Sequence, residues 1–174
     1  MDDYEMDDEE LNGIMKYEFK RVSDSDILEY GFEIKLEKDS PNEEERDYTK
    51  WNMIMKAPDD SDYKGGYYYI DVEFVKNYPY KNPKFKFKTP IYHCNVKENG
   101  ELNVNWMLPG MKIDYIMPRL LTLFYLQDPS VDPNSERSKL YNEDIKLKKE
   151  DFKKKIRKNV EEEANKKLTF KEEI

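Results

Sequence analysis

The first part of the chain has apolar residues at the spacing of an amphipathic helix. In the segment DDEELNGIMKYEFKRV, residues 7–22, they follow one another mainly at steps of three and four: Leu11, Ile14, Met15, Phe19 and Val22. This spacing places them on one side of an α-helix, and the acidic residues at its start suit the positive N-terminal end. The pattern predicts a helix over 7–22, in which Gly13 is the weakest position.

Between residues 31 and 89 the apolar residues alternate with polar ones instead. Four segments have this pattern, at 32–36, 51–55, 68–74 and 84–88. Alternation with period two is typical of a strand with one buried face, and turn-forming sequences such as DSPNEE and APDDSDYKGG separate the segments. We therefore predict a four-stranded antiparallel meander with one face in water.

After residue 100 the pattern is again helical. The segment YIMPRLLTLFYL, residues 115–126, is nearly all apolar and predicts a buried central helix on the inner face of the sheet, with Pro118 tolerated only in its first turn. Two further helices are predicted at 135–141 and 148–168. The order of elements predicts an α+β fold with helices on one face of the sheet.

Composition limits the size of the fold and the class of partner. The 174 residues are enough for one domain, which we place at 7–170 after an acidic tail at 1–6. The net charge is −8, so nucleic acid is not an expected partner. A lysine-rich run extends over 146–158. This run and the acidic N-terminus are each either solvated surface or a docking surface for an oppositely charged partner.

The chain contains one cysteine and one histidine, His93 and Cys94, which are adjacent. An intramolecular disulfide or a zinc site of cysteine pairs needs more thiols, so we expect neither a metal nor another cofactor. Apolar runs fall short of the ~20 residues that span a bilayer, and the acidic N-terminus differs from a secretory signal. These features favour a protein of the cytoplasm or nucleus that does not bind membranes.

A series of motifs between residues 51 and 95 points to a known family. In order along the chain, these are Trp51, Pro58, YKGG at 63–66, YYYIDVEF at 67–74, YPYKNPKFKFKT at 78–89 and IYHCN at 91–95. In order and spacing they resemble the ubiquitin-conjugating enzymes. The predicted central helix and the Asp-Pro after it extend the resemblance over nearly the whole chain. It implies a UBC-like fold with an N-terminal helix, a four-stranded meander, a buried central helix and two C-terminal helices.

The resemblance also implies a catalytic position, which this chain fills with asparagine. The family carries its modifier as a thioester on a cysteine ten residues after the histidine of its His-Pro-Asn motif. That position is Asn103 here, and Asn105 stands where the family has an acidic residue. His93, Asn95 and the Asn99-Gly100 turn match the family pattern. The resemblance therefore implies a degenerate active site around His93, Cys94, Asn95, Asn103 and Asn105.

A carboxamide forms no transferable thioester, so the sequence favours a catalytically inactive protein that acts by non-covalent binding. Two alternatives keep an active transferase. Cys94 could serve as a substitute nucleophile, or Asn103 could be a laboratory Cys-to-Asn substitution in an enzyme that is otherwise active. The first is disfavoured because adjacent side chains in an extended segment point to opposite sides, so His93 and Cys94 cannot easily pair. The second does not explain Asn105 or the segment GMKID at 110–114. A scaffold unrelated to ubiquitin is a third alternative.

The resemblance implies partners and two alternative docking surfaces. The partners are ubiquitin or a ubiquitin-like protein, an active conjugating enzyme, or a ubiquitin ligase. One surface is the ligase-type loop together with the first helix: Tyr78, Pro79, Tyr80, Lys81, Met15 and Phe19. The other is the outer face of the sheet: Lys35, Asn52 and Tyr69. The sequence pattern does not decide between them.

Overall fold

The fold begins with a capped amphipathic helix, as the sequence predicts. A computed structural model of the chain describes residues 4–171. Helix α1 covers Asp8–Ser23, and the Asp7 side chain accepts a hydrogen bond from the Glu10 amide at 2.8 Å. This side chain satisfies one of the free amides at the helix start. The apolar side of α1, including Leu11, Met15 and Val22, is buried in the core.

The four predicted strands form one antiparallel sheet. The strands are β1 Phe32–Leu36, β2 Lys50–Lys56, β3 Tyr67–Glu73 and β4 Lys84–Phe87. They lie in the order β1-β2-β3-β4, which confirms the predicted meander. The register places Trp51 opposite Val72, and Val72 opposite Phe85. Apolar residues of neighbouring strands therefore share one face, and that face forms the core.

The predicted central helix differs from the structure in its bounds and its environment. Helix α2 covers Ile113–Leu120 and continues as a 3-10 helix over Leu121–Phe124. Pro118 is its sixth residue, so it lies in the second turn rather than the first, on the exposed side of the helix. A proline there cannot donate to the carbonyl of Asp114, and solvent can reach that side. Tyr115 is 72% exposed, so the helix is amphipathic and not buried all round.

Two helices follow, as predicted, but with different bounds. Helix α3 covers Glu136–Leu147 and ends where Lys148 adopts a left-handed conformation. Helix α4 covers Asp151–Asn159 and continues as a π-helical turn over Val160–Ala164. The predicted segments 135–141 and 148–168 were too short for α3 and too long for α4. The polar sequence around residue 148 gave no signal of the break.

Part of the predicted N-terminal tail contacts the fold. Residues 1–3 lie outside the described residues. Tyr4 is exposed, whereas Met6 is buried, and the amide of Asn77 points at its sulfur at 3.3 Å. Met6 therefore adds to the core next to the start of α1.

Candidate functional site

His93 is a buried structural residue at the start of the candidate site. Its side chain is fully buried, and its Nδ1 accepts a hydrogen bond from the Asn95 amide at 2.9 Å. Nε2 must therefore carry the proton, and it donates to the carbonyl of Leu123 at 2.6 Å. Burial lowers the pKa of His93 to about 4, so the ring is neutral near pH 7. The ring therefore connects the segment around Asn95 to the 3-10 helix that follows α2.

The segment 90–96, which we call the site loop, is held by side chains from later helices. Arg137 of α3 donates to the carbonyls of Ile91 at 2.9 Å and Val96 at 2.8 Å. Asn159 at the end of α4 accepts from the amide of Tyr92 at 3.1 Å. The conformation of the site loop therefore depends on the two C-terminal helices.

A second group of hydrogen bonds holds the inner side of the site loop. The amide of Cys94 donates to Oε1 of Gln127 at 2.8 Å. Nε2 of Gln127 donates to the hydroxyl of Tyr63 at 2.8 Å, and that hydroxyl donates to the carbonyl of Tyr92. Burial raises the pKa of the Tyr63 hydroxyl, which keeps it protonated as a donor. Each polar group in this chain of bonds has a partner.

Asn95 links the site loop to Asn103. Its Nδ2 donates to the carbonyl of Asn103 at 3.2 Å and to that of Asp128 at 2.9 Å, while its Oδ1 accepts from the Asp128 amide at 3.0 Å. The Asn103 amide in turn donates to the Asn95 carbonyl at 2.8 Å. The Asn95 side-chain amide therefore hydrogen-bonds to main-chain groups. In this structure it holds two loops together.

Gly100 fixes the turn that leads to Asn103. Its φ of +93° lies in the left-handed region, and a Cβ there would overlap the carbonyl oxygen of Phe87. The close approach allows Phe87 and Gly100 to hydrogen-bond at 2.7 Å. The turn thereby pairs with β4 through an isolated bridge between Lys86 and Glu101, and Asn103, two residues further on, is partly exposed.

Cys94 lies in an environment that suppresses thiol chemistry. Its side chain is buried, with the sulfur 3.7 Å from the carbonyl of Arg137. Burial raises the pKa of the thiol to about 11, so the thiol is almost entirely protonated at pH 7. An attacking thiol must be both ionised and accessible. Cys94 is poorly suited to this role.

Asn103 lies beside an open groove at the end of the sheet. The groove has a volume of about 690 Å³, and its wall includes Asn103, Leu102, Met107 and Lys84. Asn105 is exposed close by in the sequence. The wall also includes four carboxylate side chains, so the groove offers amide, ammonium, carboxylate and thioether groups as binding contacts. Asn103 therefore lies in a largely polar groove that is open to solvent.

The described residues 4–171 contain no cluster of His, Cys, Asp and Glu that could hold a metal ion. Over the same range, no helix is long and apolar enough to cross a membrane.

The ligase-type loop presents an apolar surface, but not with all the residues that the sequence suggested. Tyr80 is 75% exposed, Lys81 is exposed and Pro79 is partly exposed. The Pro79 carbonyl accepts from the amide of Gly110 at 2.9 Å, which brings the exposed Leu108 close to this loop. Tyr80 and Leu108 therefore form the prominent apolar part of this surface.

Three predicted binding residues have mainly structural contacts. Met15 and Tyr78 are buried, so neither can contact a docked protein in this conformation, and we correct both predictions. The Tyr78 hydroxyl donates to buried Glu18 and accepts from the amide of Ile113, which explains its burial. Phe19 is partly buried and packs edge-on against Trp51, with ring centroids 5.1 Å apart.

The outer face of the sheet is also less open than the sequence suggested. Lys35 is exposed and Tyr69 partly exposed, but Asn52 is buried, as is its outward-facing neighbour Ile54. Part of this cover comes from the C-terminal segment, because the ring of Phe170 packs against Tyr69. Asn52 is therefore not a freely accessible binding residue, contrary to the prediction.

Sequence reasoning missed the residues that support the site loop. Arg137, Gln127, Asn159 and Tyr63 all contact it, and they come from four separate parts of the chain. Tyr63 carried a partial signal, because it begins the YKGG motif. The other three are polar residues in polar segments, where nothing in the local pattern distinguishes them from solvated surface.

Comparison with known proteins agrees with this architecture. The profile of the family described as ubiquitin-conjugating enzyme matches residues 16–160. A probable ubiquitin-conjugating enzyme E2 31 of Arabidopsis thaliana is 33% identical over 87 residues, which cover 48% of this chain and 55% of that protein.

Viral relatives extend the match further along the chain. The ubiquitin-conjugating enzyme E2 of African swine fever virus, isolate Pig/Kenya/KEN-50/1950, is 28% identical over 138 residues, covering 68% of this chain and 62% of the viral protein. That of strain Badajoz 1971 Vero-adapted is 28% identical over 136 residues, covering 68% and 63%. The matches thus span 55 to 63% of the length of these curated relatives. Because the family profile covers most of the chain and the fold agrees with it, this protein belongs to the ubiquitin-conjugating enzyme family.

Proposed function

We propose that this family member acts without forming a thioester, through non-covalent binding in a ubiquitin or ubiquitin-like pathway. Its partner would be the modifier itself, an active conjugating enzyme or a ligase, in the cytoplasm or nucleus. The observation that carries the proposal is Asn103, at the position that the family motif assigns to the catalytic cysteine. A carboxamide cannot attack an activated acyl group and leave again as a thiolate does.

The surroundings of Cys94 support the same proposal. The remaining thiol is buried, and its pKa is raised to about 11. Asn95, which in the family steadies the oxyanion, uses its side-chain amide to bind main-chain carbonyls. These contacts favour a preserved scaffold over an active centre that has moved to Cys94.

An exposed apolar surface at the ligase-type loop supports the proposed binding role. Tyr80 and Leu108 are both largely exposed, on two loops joined by the Gly110–Pro79 hydrogen bond. The side-chain amide of Asn82 also donates a hydrogen bond to the Leu108 carbonyl at 3.0 Å, which connects the same two loops. Exposed aromatic and aliphatic residues on rigid loops are typical of protein-binding surfaces.

A charging assay tests the absence of thioester chemistry. The protein is incubated with activating enzyme, ATP and ubiquitin, and the products are separated on a non-reducing gel. We expect no thiol-sensitive band for the unmodified protein or for Cys94→Ala. The double variant Asn103→Cys/Cys94→Ala is the positive control, and we expect it to form a band that thiol removes. A thiol-sensitive band for the unmodified protein that Cys94→Ala abolishes would overturn the proposal in favour of an active transferase using Cys94.

A titration tests the binding role. Isotope-labelled ubiquitin is titrated with the protein, and shifts of its NMR resonances report binding.

If the ligase-type loop carries binding to a ligase or conjugating enzyme, Tyr80→Ala should weaken capture of that partner by tenfold or more. Tyr30→Ala is the matched control, since Tyr30 is similarly exposed but lies outside the two loops. No change of resonances and no captured pathway protein would favour a scaffold unrelated to ubiquitin.

A further inference from the structure

The outer face of the sheet is partly covered by the chain's own C-terminal segment. We call residues 165–171 the C-terminal strap. The Thr169 hydroxyl donates to Oε1 of Glu33 at 2.8 Å, and the amide of Phe170 donates to the same oxygen at 3.2 Å. The Phe170 ring meets Tyr69 edge-on at 5.7 Å, and Nζ of Lys35 lies 4.7 Å from its centroid. The strap therefore makes specific contacts with the outer face of the sheet.

The register of the sheet shows what this ring covers. Ile54 on β2 pairs with Glu33 on one side and with Tyr69 on the other. The amide of Phe170 bonds to Glu33 and its ring packs against Tyr69, so Phe170 lies on the outer face between the two neighbours of Ile54. Ile54 faces away from the core, yet only 3% of it is exposed. An isoleucine on this face needs an apolar cover to avoid contact with water, and the position of Phe170 between Glu33 and Tyr69 points to its ring as that cover.

The strap is held more weakly than the rest of the fold. Both of its hydrogen bonds to the sheet end on one carboxylate oxygen, and residues 165–167 are exposed. Phe170 itself is only partly buried. A segment with few contacts and exposed flanks opens locally at much lower free energy than the whole domain.

We propose that the strap is an intramolecular ligand of the outer sheet face and must leave before a protein partner can dock there. The partner we assign is ubiquitin or a ubiquitin-like protein, so this step rests on the proposed function. A partner at this site would place an apolar group over Ile54 in place of Phe170. The outer face is then a binding surface that the chain keeps closed.

The docked position of the strap can be tested without any partner. The methyl resonances of Ile54 are recorded in the full chain and in Phe170→Ala, where the loss of the ring should move them. Glu33→Ala should move them in the same direction, because it removes the acceptor of both strap hydrogen bonds. Lys171→Ala is the matched control within the same segment and should leave the Ile54 resonances unchanged. Unchanged Ile54 resonances in Phe170→Ala would overturn the docked strap.

Competition between the strap and a partner for the outer sheet face is then tested with ubiquitin as the probe. Phe170→Ala should bind ubiquitin at least fivefold more tightly than the unmodified protein, with new shifts at Ile54 and Tyr69. Equal affinity, with shifts confined to the Tyr80 loop, would overturn the competition while the binding function stands. No binding by either form would overturn both the competition and ubiquitin as the partner, and the Ile54 resonances would still report separately on the strap.

Discussion

At the scale of single residues, the neighbours of His93, Cys94 and Asn103 decide their roles. His93 and Cys94 are adjacent, which suggests a catalytic pair, but His93 bonds to Asn95 and Leu123 while Cys94 lies near Arg137. The sequence disfavoured Cys94 as a substitute nucleophile because adjacent side chains in an extended segment point apart, whereas in the structure Cys94 lies in a turn and is buried. The two side chains therefore do not form a catalytic pair, as the sequence indicated. Asn103 remains the residue on which the proposed loss of catalysis depends.

The neutral state of His93 predicts that the folded protein loses stability at acidic pH. The pKa is about 4 in the folded state and near 6.5 in the unfolded state. The unfolded chain therefore binds a proton first as the pH falls, so stability from this residue is full above pH 6.5 and is lost toward pH 4. At about 1.4 kcal/mol per pKa unit, the loss is about 3 kcal/mol. Since the chain has one histidine, NMR can follow its ring directly, and we expect the ring to stay largely neutral between pH 7 and 5.

A matched variant separates this effect from the titration of carboxylates. His93→Gln keeps a hydrogen-bond donor but does not titrate. We expect urea unfolding to show the variant less stable at pH 7, with its deficit reduced by about 2 kcal/mol at pH 4.5. A deficit that is the same at both pH values would contradict the assigned pKa.

At the scale of elements, strands were predicted more accurately than helix ends. Alternating residues such as Phe85 and Phe87 specify both a strand and its buried face, so the sheet follows directly from the pattern. Helix ends depend on single polar residues. The break after α3 is set by the left-handed Lys148, and the start of α4 by Asp144, seven residues before it in sequence. Neither residue stands out in the sequence, because lysine and aspartate are common throughout this part of the chain.

Asp144 caps α4 from the preceding helix. Its two carboxylate oxygens accept from the amides of Asp151 at 3.0 Å and Phe152 at 3.2 Å. In the described part of the chain, the N-cap residue Glu150 makes no side-chain capping bond of its own. Asp144→Ala should therefore lower the free energy of unfolding by about 1–2 kcal/mol. Glu143→Ala, an exposed neighbour, is the control and should cost less than about 0.5 kcal/mol in the same denaturant titration. Equal effects would show that Asp144 does not cap α4.

At the scale of the whole molecule, contacts between distant parts of the chain connect the fold to the site. The bond from Phe170 to Glu33 joins residues 137 positions apart, and Arg21 meets Asp114 across 93 positions. Local periodicity predicts which face of an element is apolar but not which distant polar groups will meet. The strap, the anchoring of the site loop by Arg137 and the burial of Tyr78 could therefore not be predicted from the sequence.

The network around Glu18 connects α1, the ligase-type loop and α2. Arg21 donates to Glu18 at 2.8 Å and to Asp114 at 2.6 Å, and Tyr78 donates to Glu18 at 2.7 Å while accepting from the amide of Ile113. Glu18 is almost fully buried. Its charge is tolerable only because a cation and a hydroxyl satisfy it. The position of the Tyr80 surface relative to α1 thus depends on one buried carboxylate.

Removal of the cation should therefore destabilise the whole domain. Arg21→Met leaves Glu18 buried without its charge partner, and we expect a loss of about 3 kcal/mol, the low end for a buried pair because Arg21 is partly exposed. Lys20→Met is the control, since Lys20 pairs with Glu43 at the surface and should contribute under about 1 kcal/mol. The double variant Glu18→Gln/Arg21→Met removes the uncompensated charge, so it should be more stable than Arg21→Met alone. If denaturant unfolding shows the double variant to be less stable instead, the burial of an unpaired charge is not the reason why Arg21 matters.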